Sequence, residues 1–216
     1  MNKSIIVPET LADITLRQWQ KYVSIEEPSD EQCVAILCNL EPNEVLNLPN
    51  DVYDSVVEKL AKLLPQLDGN QTLIKRFNHK GKMYGIIPNL DNITYGANKD
   101  ILATIGDWDK MHYAMNALYR PIIKTSGDSY EIQEYGGDKT IDELRNMPLD
   151  VVFGARFFFY SLTNALLKAI PNYLERVVAK EIAGTEQTQT QSIKENGEVM
   201  MKHIASLKET LEDSMR

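Results

Sequence analysis

The histidines are the first residues to consider for metal or acid–base chemistry. There are three: His79 falls in a predicted hairpin turn, His112 falls on a helix predicted from Asp107, and His203 lies near the C-terminus. No HxxxH, HExxH or CxxC spacing supplies a set of ligands. Asp107 and Asp109 stand at a predicted helix start, where capping and the helix dipole account for carboxylates. We therefore predict no metal site and no cofactor.

Motifs for nucleophilic or phosphate chemistry are also missing from the sequence. There is no GxSxG, GxxxxGK[ST] or GxGxxG, and Gly81, Gly85 and Gly96 are too widely spread to form a phosphate cradle. Cys33 and Cys38 fall on one predicted helix about 140° apart around its axis, so they do not pair with each other. We interpret them as small buried residues of a reducing compartment. The sequence thus predicts a protein that is not an enzyme.

Arg120 is the single charged residue best placed for binding. It follows an apolar helix face and precedes Pro121 and a predicted strand. We expect a carboxylate across the sheet, Glu131 or Glu134, to hold its guanidinium and fix this junction, and a binding role for Arg120 is the alternative. The surrounding segment is rich in tyrosine, which suits an interface and equally suits half-buried strands: Tyr84, Tyr95, Tyr113, Tyr119, Tyr130 and Tyr135.

Composition and charge restrict the classes of partner. The chain has 216 residues, of which 43% are hydrophobic, as in an ordinary globular protein. A net charge of -8 argues against sequence-independent nucleic-acid binding, which needs a basic surface. The apolar run near the N-terminus is too short for a secretion signal, and no run reaches the roughly 20 apolar residues of a membrane helix. We expect a cytoplasmic protein with no direct nucleic-acid partner and no membrane partner.

The stretch 149–169 is apolar around nearly the whole circumference of a helix and predicts the buried centre of the fold. Arg156 and Asn164 interrupt the run, which favours a protein core over a bilayer. A last helix is predicted from Pro171 to Gly184. The apolar residues that cannot share one stripe are Val151, Val152, Phe153, Phe157, Phe158, Phe159, Leu162, Leu166 and Leu167.

The N-terminal part of the chain predicts a layer of helices over residues 10–68. Helix starts are indicated at Thr15, near Ser29, at Pro42 and near Asn50, where capping residues or prolines precede apolar positions with helical spacing.

The period of the pattern changes at Thr72. Alternation then predicts a β-hairpin with its turn at 78–82, and a second strand pair is predicted around the turn at 125–129. Between the pairs, helices are predicted from Asp100 and over 107–119, and residues 5–7 predict a short edge strand. The predicted fold is α+β and predominantly helical, with a small antiparallel sheet packed on the central apolar helix.

The predicted organisation ends in a polar linker and a docking helix. The stretches are an N-terminal helical region, an α+β core, a linker and a C-terminal amphipathic helix, at 1–71, 72–183, 184–197 and 198–216. A helix that short is marginal alone in water and needs a surface, either on its own domain or on a partner. Its narrow apolar seam is formed by Met200, Ile204, Leu207 and Leu211.

Four segments of the chain carry a resemblance to a known group of proteins. They are KMYGIIPNLDNITYGANKDI, WDKMHYAMNALYRPI, YEIQEYGG and FGARFFFYSLTNALLKAI. Together they resemble small tailed-bacteriophage proteins encoded among virion and tail-assembly genes, notably in crAss-like gut phages. The resemblance covers residues 73–170, and ITYG at 93–96 and ALYRPI at 117–122 are its most distinctive parts.

The resemblance implies a non-enzymatic protein that binds other virion proteins. As a structural or cargo component it would lie in the portal, tail or capsid interior, hence in the virion and, during assembly, in the host cytoplasm. An alternative within the group is a tail assembly chaperone absent from the mature particle. A small host-directed enzyme or inhibitor is a further alternative from a different class. The residues expected to bind the partner are Met200, Ile204, Leu207, Leu211 and Arg120.

Overall fold

The computed structural model describes residues 5–68, 71–137, 141–182, 197–202 and 204–206. The chain divides into two compact units, 1–155 and 156–216. Helices predominate in the described residues, together with a four-stranded antiparallel sheet, and the predicted α+β class is confirmed. No helix among these residues is long and apolar enough to cross a membrane.

The N-terminal helices begin where short polar side chains cap them. Thr15 Oγ1 accepts a hydrogen bond from Gln18 N at 3.3 Å, and Gln18 Oε1 accepts one from Thr15 N at 2.8 Å. Ser29 and Gln32 form the same reciprocal arrangement. Such capping boxes satisfy the free N–H groups of a first helical turn, and they lie at the predicted helix starts. The helices are α1 Leu16–Val23, α2 Asp30–Leu37, α3 Pro42–Leu46 and α4 Asn50–Leu63.

Two antiparallel hairpins build the sheet. Its strands are β1 Arg76–His79, β2 Lys82–Ile86, β3 Tyr119–Ser126 and β4 Ser129–Ile132, paired in that order. The first turn places Lys80 and Gly81 at φ 50° and 76°, and the second places Gly127 at φ 57°. Positive φ at both central residues of the first turn, and at the first central residue of the second, matches the twist of two-residue hairpins. Since His79 pairs with Lys82 and Ser126 pairs with Ser129, both predicted hairpins are confirmed.

Three helices link the sheet elements and lead to the longest helix. They are α5 Tyr95–Thr104, α6 Met111–Leu118 and α7 Ile141–Leu144, followed by α8 Leu149–Ile182. The prediction that α5 starts at Asp100 was wrong, because Thr94 caps an earlier turn by accepting from Ala97 N at 3.3 Å. The predicted strand at 5–7 was also wrong. That segment has no ladder partner, and Ile6 is 79% exposed.

Backbone hydrogen bonds join the start of α1 to the start of α8. Leu16 N donates to Met147 O at 3.0 Å, and Leu149 N donates to Ile14 O at 2.8 Å. The predicted N-terminal helical region and the strand-containing region up to residue 155 consequently lie in the same compact unit.

The core contains the inner face of the sheet and the first turns of α8. Phe77, Tyr84 and Tyr119 pack ring against ring, with centroids 5.6 and 5.4 Å from Phe77. Val152 is fully buried, whereas Phe158 is half-buried. The buried-helix prediction therefore holds most fully for the N-terminal turns of α8.

The separate helix predicted from Pro171 is instead a continuation of α8. Proline lacks the N–H that an interior helical position donates, and this costs about 3 kcal/mol. The flanking segments, ALLKA and LERVVAKE, are rich in strong helix formers, which favours a continuous helix on both sides of the proline.

Candidate interaction surface

Arg120 lies in a row of residues that crosses three strands. Gly85 on β2 pairs with Arg76 on β1 and with Arg120 on β3. Because neighbouring strands are about 4.8 Å apart, the Cα atoms of the two arginines are about 10 Å apart. Tyr84 and Ile86, on either side of Gly85, are buried at 1% and 5% exposure. Since side chains alternate along a strand, the row belongs to the opposite, outer face of the sheet.

The ring of Tyr130 covers Gly85 on this outer face. A Cβ at position 85 would overlap the Tyr130 ring and would lie 3.0 Å from Ile122 Cγ1. The Tyr130 hydroxyl donates to the carbonyl oxygen of Ile86 at 2.8 Å, and burial raises the pKa of Tyr130. A glycine inside a strand often marks such a close approach. Gly85 within a predicted strand was therefore the sequence signal that could have located this face.

Each arginine of the row lies over a tyrosine ring. The guanidinium carbon of Arg76 is 5.3 Å from the Tyr130 ring centroid, and that of Arg120 is 6.0 Å from the Tyr135 centroid. The Tyr135 hydroxyl donates in turn to Asp100 on α5. Cation–π contacts of this kind hold a planar guanidinium against the ring and restrict its rotation. These contacts favour positions of the two arginines over the rings before a partner binds.

The partner predicted for Arg120 was wrong. Its Nη1 donates to the backbone carbonyl of Gln133 at 3.0 Å, and no ion pair with Glu131 or Glu134 forms within the described part of the chain. Glu131 instead lies 3.2 Å from Lys124. It alternates with Tyr130 along β4 and so points away from the outer face. Burial lowers the pKa of Arg120, although a guanidinium keeps its charge in proteins.

Apolar side chains surround the row and complete the surface. Met83 is 45% exposed, while Ile122 and Ile132 are half-buried. Tyrosine, arginine and methionine are the residue types enriched in protein–protein interfaces, and tyrosine and arginine are frequent among the residues that dominate binding energy. We name this surface the arginine–tyrosine face, formed by Arg76, Met83, Gly85, Arg120, Ile122, Tyr130, Ile132 and Tyr135.

The predicted C-terminal seam is only partly within the described residues. Helical residues 197–202 and 204–206 include Met200, which is 46% exposed, and Ile204, which is half-buried. Leu207 and Leu211 lie outside the described residues, as does His203. Docking of this seam on its own domain or on a partner stays a prediction.

His112 is a buried structural residue, packed where α1, α6 and α7 meet. Its Nδ1 is 3.1 Å from Gln20 Nε2, and its Nε2 is 3.1 Å from an Nη of Arg145. Because a guanidinium only donates, Nε2 accepts and the imidazole is neutral. Burial and the charge of Arg145 lower the pKa of His112 to about 4. With 1% of its surface exposed, the ring does not reach a substrate.

The other candidates for chemistry also have structural roles. Asp107 caps the helical turn Trp108–Lys110 by accepting from Asp109 N at 3.0 Å, as predicted. His79 Nε2 lies 3.0 Å from the carbonyl oxygen of Glu143. Within the ranges that the structure describes, no cluster of histidine, cysteine and carboxylate residues is arranged to hold a metal.

A groove of about 860 Å³ lies between the N-terminal segment, α1 and the end of α2. It is lined by charges of both signs, including Arg17, Lys21, Asp13 and Glu44. Cys38 also lines it, and burial raises the pKa of its thiol to about 11. A protonated thiol is a poor nucleophile, so the groove does not present an activated group.

Comparison with known proteins adds no relative. No protein-family model, curated protein or solved structure matches the chain. The functional argument consequently depends on the arginine–tyrosine face itself.

Proposed function

We propose that this protein is a non-enzymatic tailed-phage protein that binds another virion protein through the arginine–tyrosine face. In this proposal it is a structural or cargo component of the portal, tail or capsid interior. The observation that carries the binding role is the row of Arg76, Gly85 and Arg120 with Tyr130 laid across the glycine. The phage assignment rests on the sequence resemblance described above.

The rigidity of the face supports a binding role. Ordering a flexible side chain at an interface costs roughly 0.5 to 1.5 kcal/mol, which weakens association. In this protein the Tyr130 hydroxyl is bonded to the Ile86 carbonyl, and its ring already contacts Arg76. Tyr135 is held by Asp100 beneath Arg120. A partner that covers the face therefore loses less affinity to side-chain ordering than it would on a flexible surface.

The phage assignment is tested on particles. Quantitative mass spectrometry of purified virions, from a phage that encodes the chain, should find it at a copy number that matches a defined structural position. Detection only in assembly intermediates would instead identify a chaperone. If the coding sequence lies among genes unrelated to virions, the assignment fails.

The binding role of the face is tested by incorporation of variants. We expect the double variant Arg76→Ala and Arg120→Ala to fold and to lose recruitment into particles. The matched control is Lys59→Ala and Lys62→Ala, which removes the same charge from exposed positions on α4. Equal incorporation of the two double variants would contradict the proposal.

A further inference from the structure

The charge of the arginine–tyrosine face differs from the charge of the chain as a whole. The chain carries a net charge of -8, whereas the residues that form this face include two arginines and no carboxylate. The carboxylate of Asp100, beside the face, accepts from the Tyr135 hydroxyl. The face is therefore a local cationic site on an acidic protein.

The two guanidinium groups have N–H donors that form no hydrogen bond to a carboxylate among the described residues. A guanidinium has five N–H donors in a planar fork. Arg120 donates from Nη1 to the carbonyl of Gln133, and its buried Nε is out of a partner's reach, so the donors for a partner are the remaining N–H groups of Nη1 and Nη2. A guanidinium that lies on an aromatic ring leaves its edge free for a carboxylate, which it binds through two parallel hydrogen bonds.

A partner that covers this face must supply negative charge to the two arginines. Removing two guanidinium groups from water without an opposite charge is costly, and the cost falls only when hydrogen-bonded counter-charges replace the water. We propose that the face docks an acidic segment of a partner protein, whose carboxylates pair with Arg76 and Arg120 and whose apolar side chains contact Met83 and Ile122. This inference rests on the proposed function and names the class of partner.

Two other occupants fit the face less well. A second copy bound through the same surface would bring the like charges of Arg76 and Arg120 close together. A nucleic acid would find only about two phosphate contacts, on a protein whose overall charge repels it. A short segment that carries two carboxylates, one for each arginine, meets the charge requirement.

The inference is tested with the full chain and a defined probe. Fluorescence anisotropy would measure binding of a labelled oligoglutamate peptide, its oligoglutamine counterpart and a single-stranded oligothymidylate. We expect binding of oligoglutamate alone. Arg76→Ala and Arg120→Ala should each weaken it about tenfold, the effect of losing one charge-assisted pair. The Lys59→Ala and Lys62→Ala variant should bind as the unaltered protein does.

Conservative variants separate recognition from folding. Arg120→Lys keeps the charge and removes the two-pronged hydrogen bonding, so it should also weaken oligoglutamate binding. The Arg76 side chain is exposed, and its contact among the described residues is with the Tyr130 ring. Arg76→Ala should therefore fold and provide a binding measurement even where an Arg120 variant unfolds.

The possible failures are distinguishable. No oligoglutamate binding, equal binding by the arginine variants, or tighter binding of oligothymidylate would each overturn the acidic-partner inference. If the arginine double variant still loses incorporation into particles, the face remains a binding surface for a partner of other chemistry. Normal incorporation of that variant would refute the proposed function itself.

Discussion

Replacing Gly85 with alanine tests the geometry on which the arginine–tyrosine face depends. The new Cβ would overlap the ring of Tyr130 and come within 3.0 Å of Ile122 Cγ1. Tyr130 has limited freedom to move away, because its hydroxyl is bonded to the Ile86 carbonyl and its ring contacts Arg76. A substitution that is mild in most strands should therefore disturb the centre of the face.

The change in the free energy of unfolding that we expect for Gly85→Ala is the balance of one stabilising and two destabilising contributions. Alanine gains about 0.5 to 1 kcal/mol over glycine inside a strand, because the unfolded chain loses freedom. Overpacking typically costs about 1 to 3 kcal/mol, and displacing Tyr130 adds the loss of one neutral hydrogen bond, about 1 kcal/mol. We expect Gly85→Ala to lower the free energy of unfolding by about 1 to 3 kcal/mol.

A double-mutant cycle in urea identifies the cause. Removing the ring with Tyr130→Ala also removes the overlap, so Gly85→Ala in that background should be neutral or slightly stabilising. The coupling between positions 85 and 130 should be about 2 kcal/mol. A Gly85→Ala variant as stable as the unaltered protein, or one equally destabilised without Tyr130, would refute the proposed stacking. The same variant should also weaken oligoglutamate binding, since it displaces the ring beneath Arg76.

Three further predictions concern the first compact unit. Because His112 has a pKa of about 4 in the folded protein and an ordinary value of about 6.5 when unfolded, the unfolded state binds the additional proton as the pH falls through this window. Stability should consequently drop by about 3 kcal/mol from pH 6.5 to pH 4, and urea midpoints of His112→Gln should show a smaller pH dependence. Trp108→Ala should cost about 1.5 to 2.5 kcal/mol in urea unfolding, less than the 3 to 5 of a fully buried ring, because Trp108 is half-buried. A larger loss would place this side chain in the core. Gly154→Ala, at a helical position where alanine normally stabilises by about 1 kcal/mol, should instead lower the melting temperature. Its Cβ would lie 2.5 Å from the carbonyl oxygen of Thr72, and a raised melting temperature would show that this carbonyl moves freely.

The sequence by itself determined the elements whose signals are local. Capping residues at Thr15 and Ser29 predicted helix starts, and the residues around Gly81 and Gly127 predicted the hairpin turns. These signals operate within a few residues, because a cap or a turn is satisfied by its immediate neighbours. The α+β class followed from the change of hydrophobic period at Thr72.

Some local signals were overridden by other parts of the chain. Residues 5–7 have the β-branched composition of a strand, yet a strand requires a partner ladder and the fold supplies none there. Pro171 marks a helix boundary in most sequences, but α8 continues through it. The missing ladder partner decides the first segment, and the helix formers that flank Pro171 favour continuation of the helix at the second.

Only the tertiary structure decided how the residues of the arginine–tyrosine face come together. Arg76, Gly85 and Arg120 lie far apart in sequence and meet because the register of three strands places them in one row. A one-residue change in that register would move a strand's side chains to the other face. The sequence singled out Arg120 but not its partners, since alternation along β4 turns Glu131 toward Lys124 and leaves Arg120 to a backbone carbonyl and a tyrosine ring. Pairing between strands is set by packing over the whole sheet, and no stretch of the chain contains that information alone.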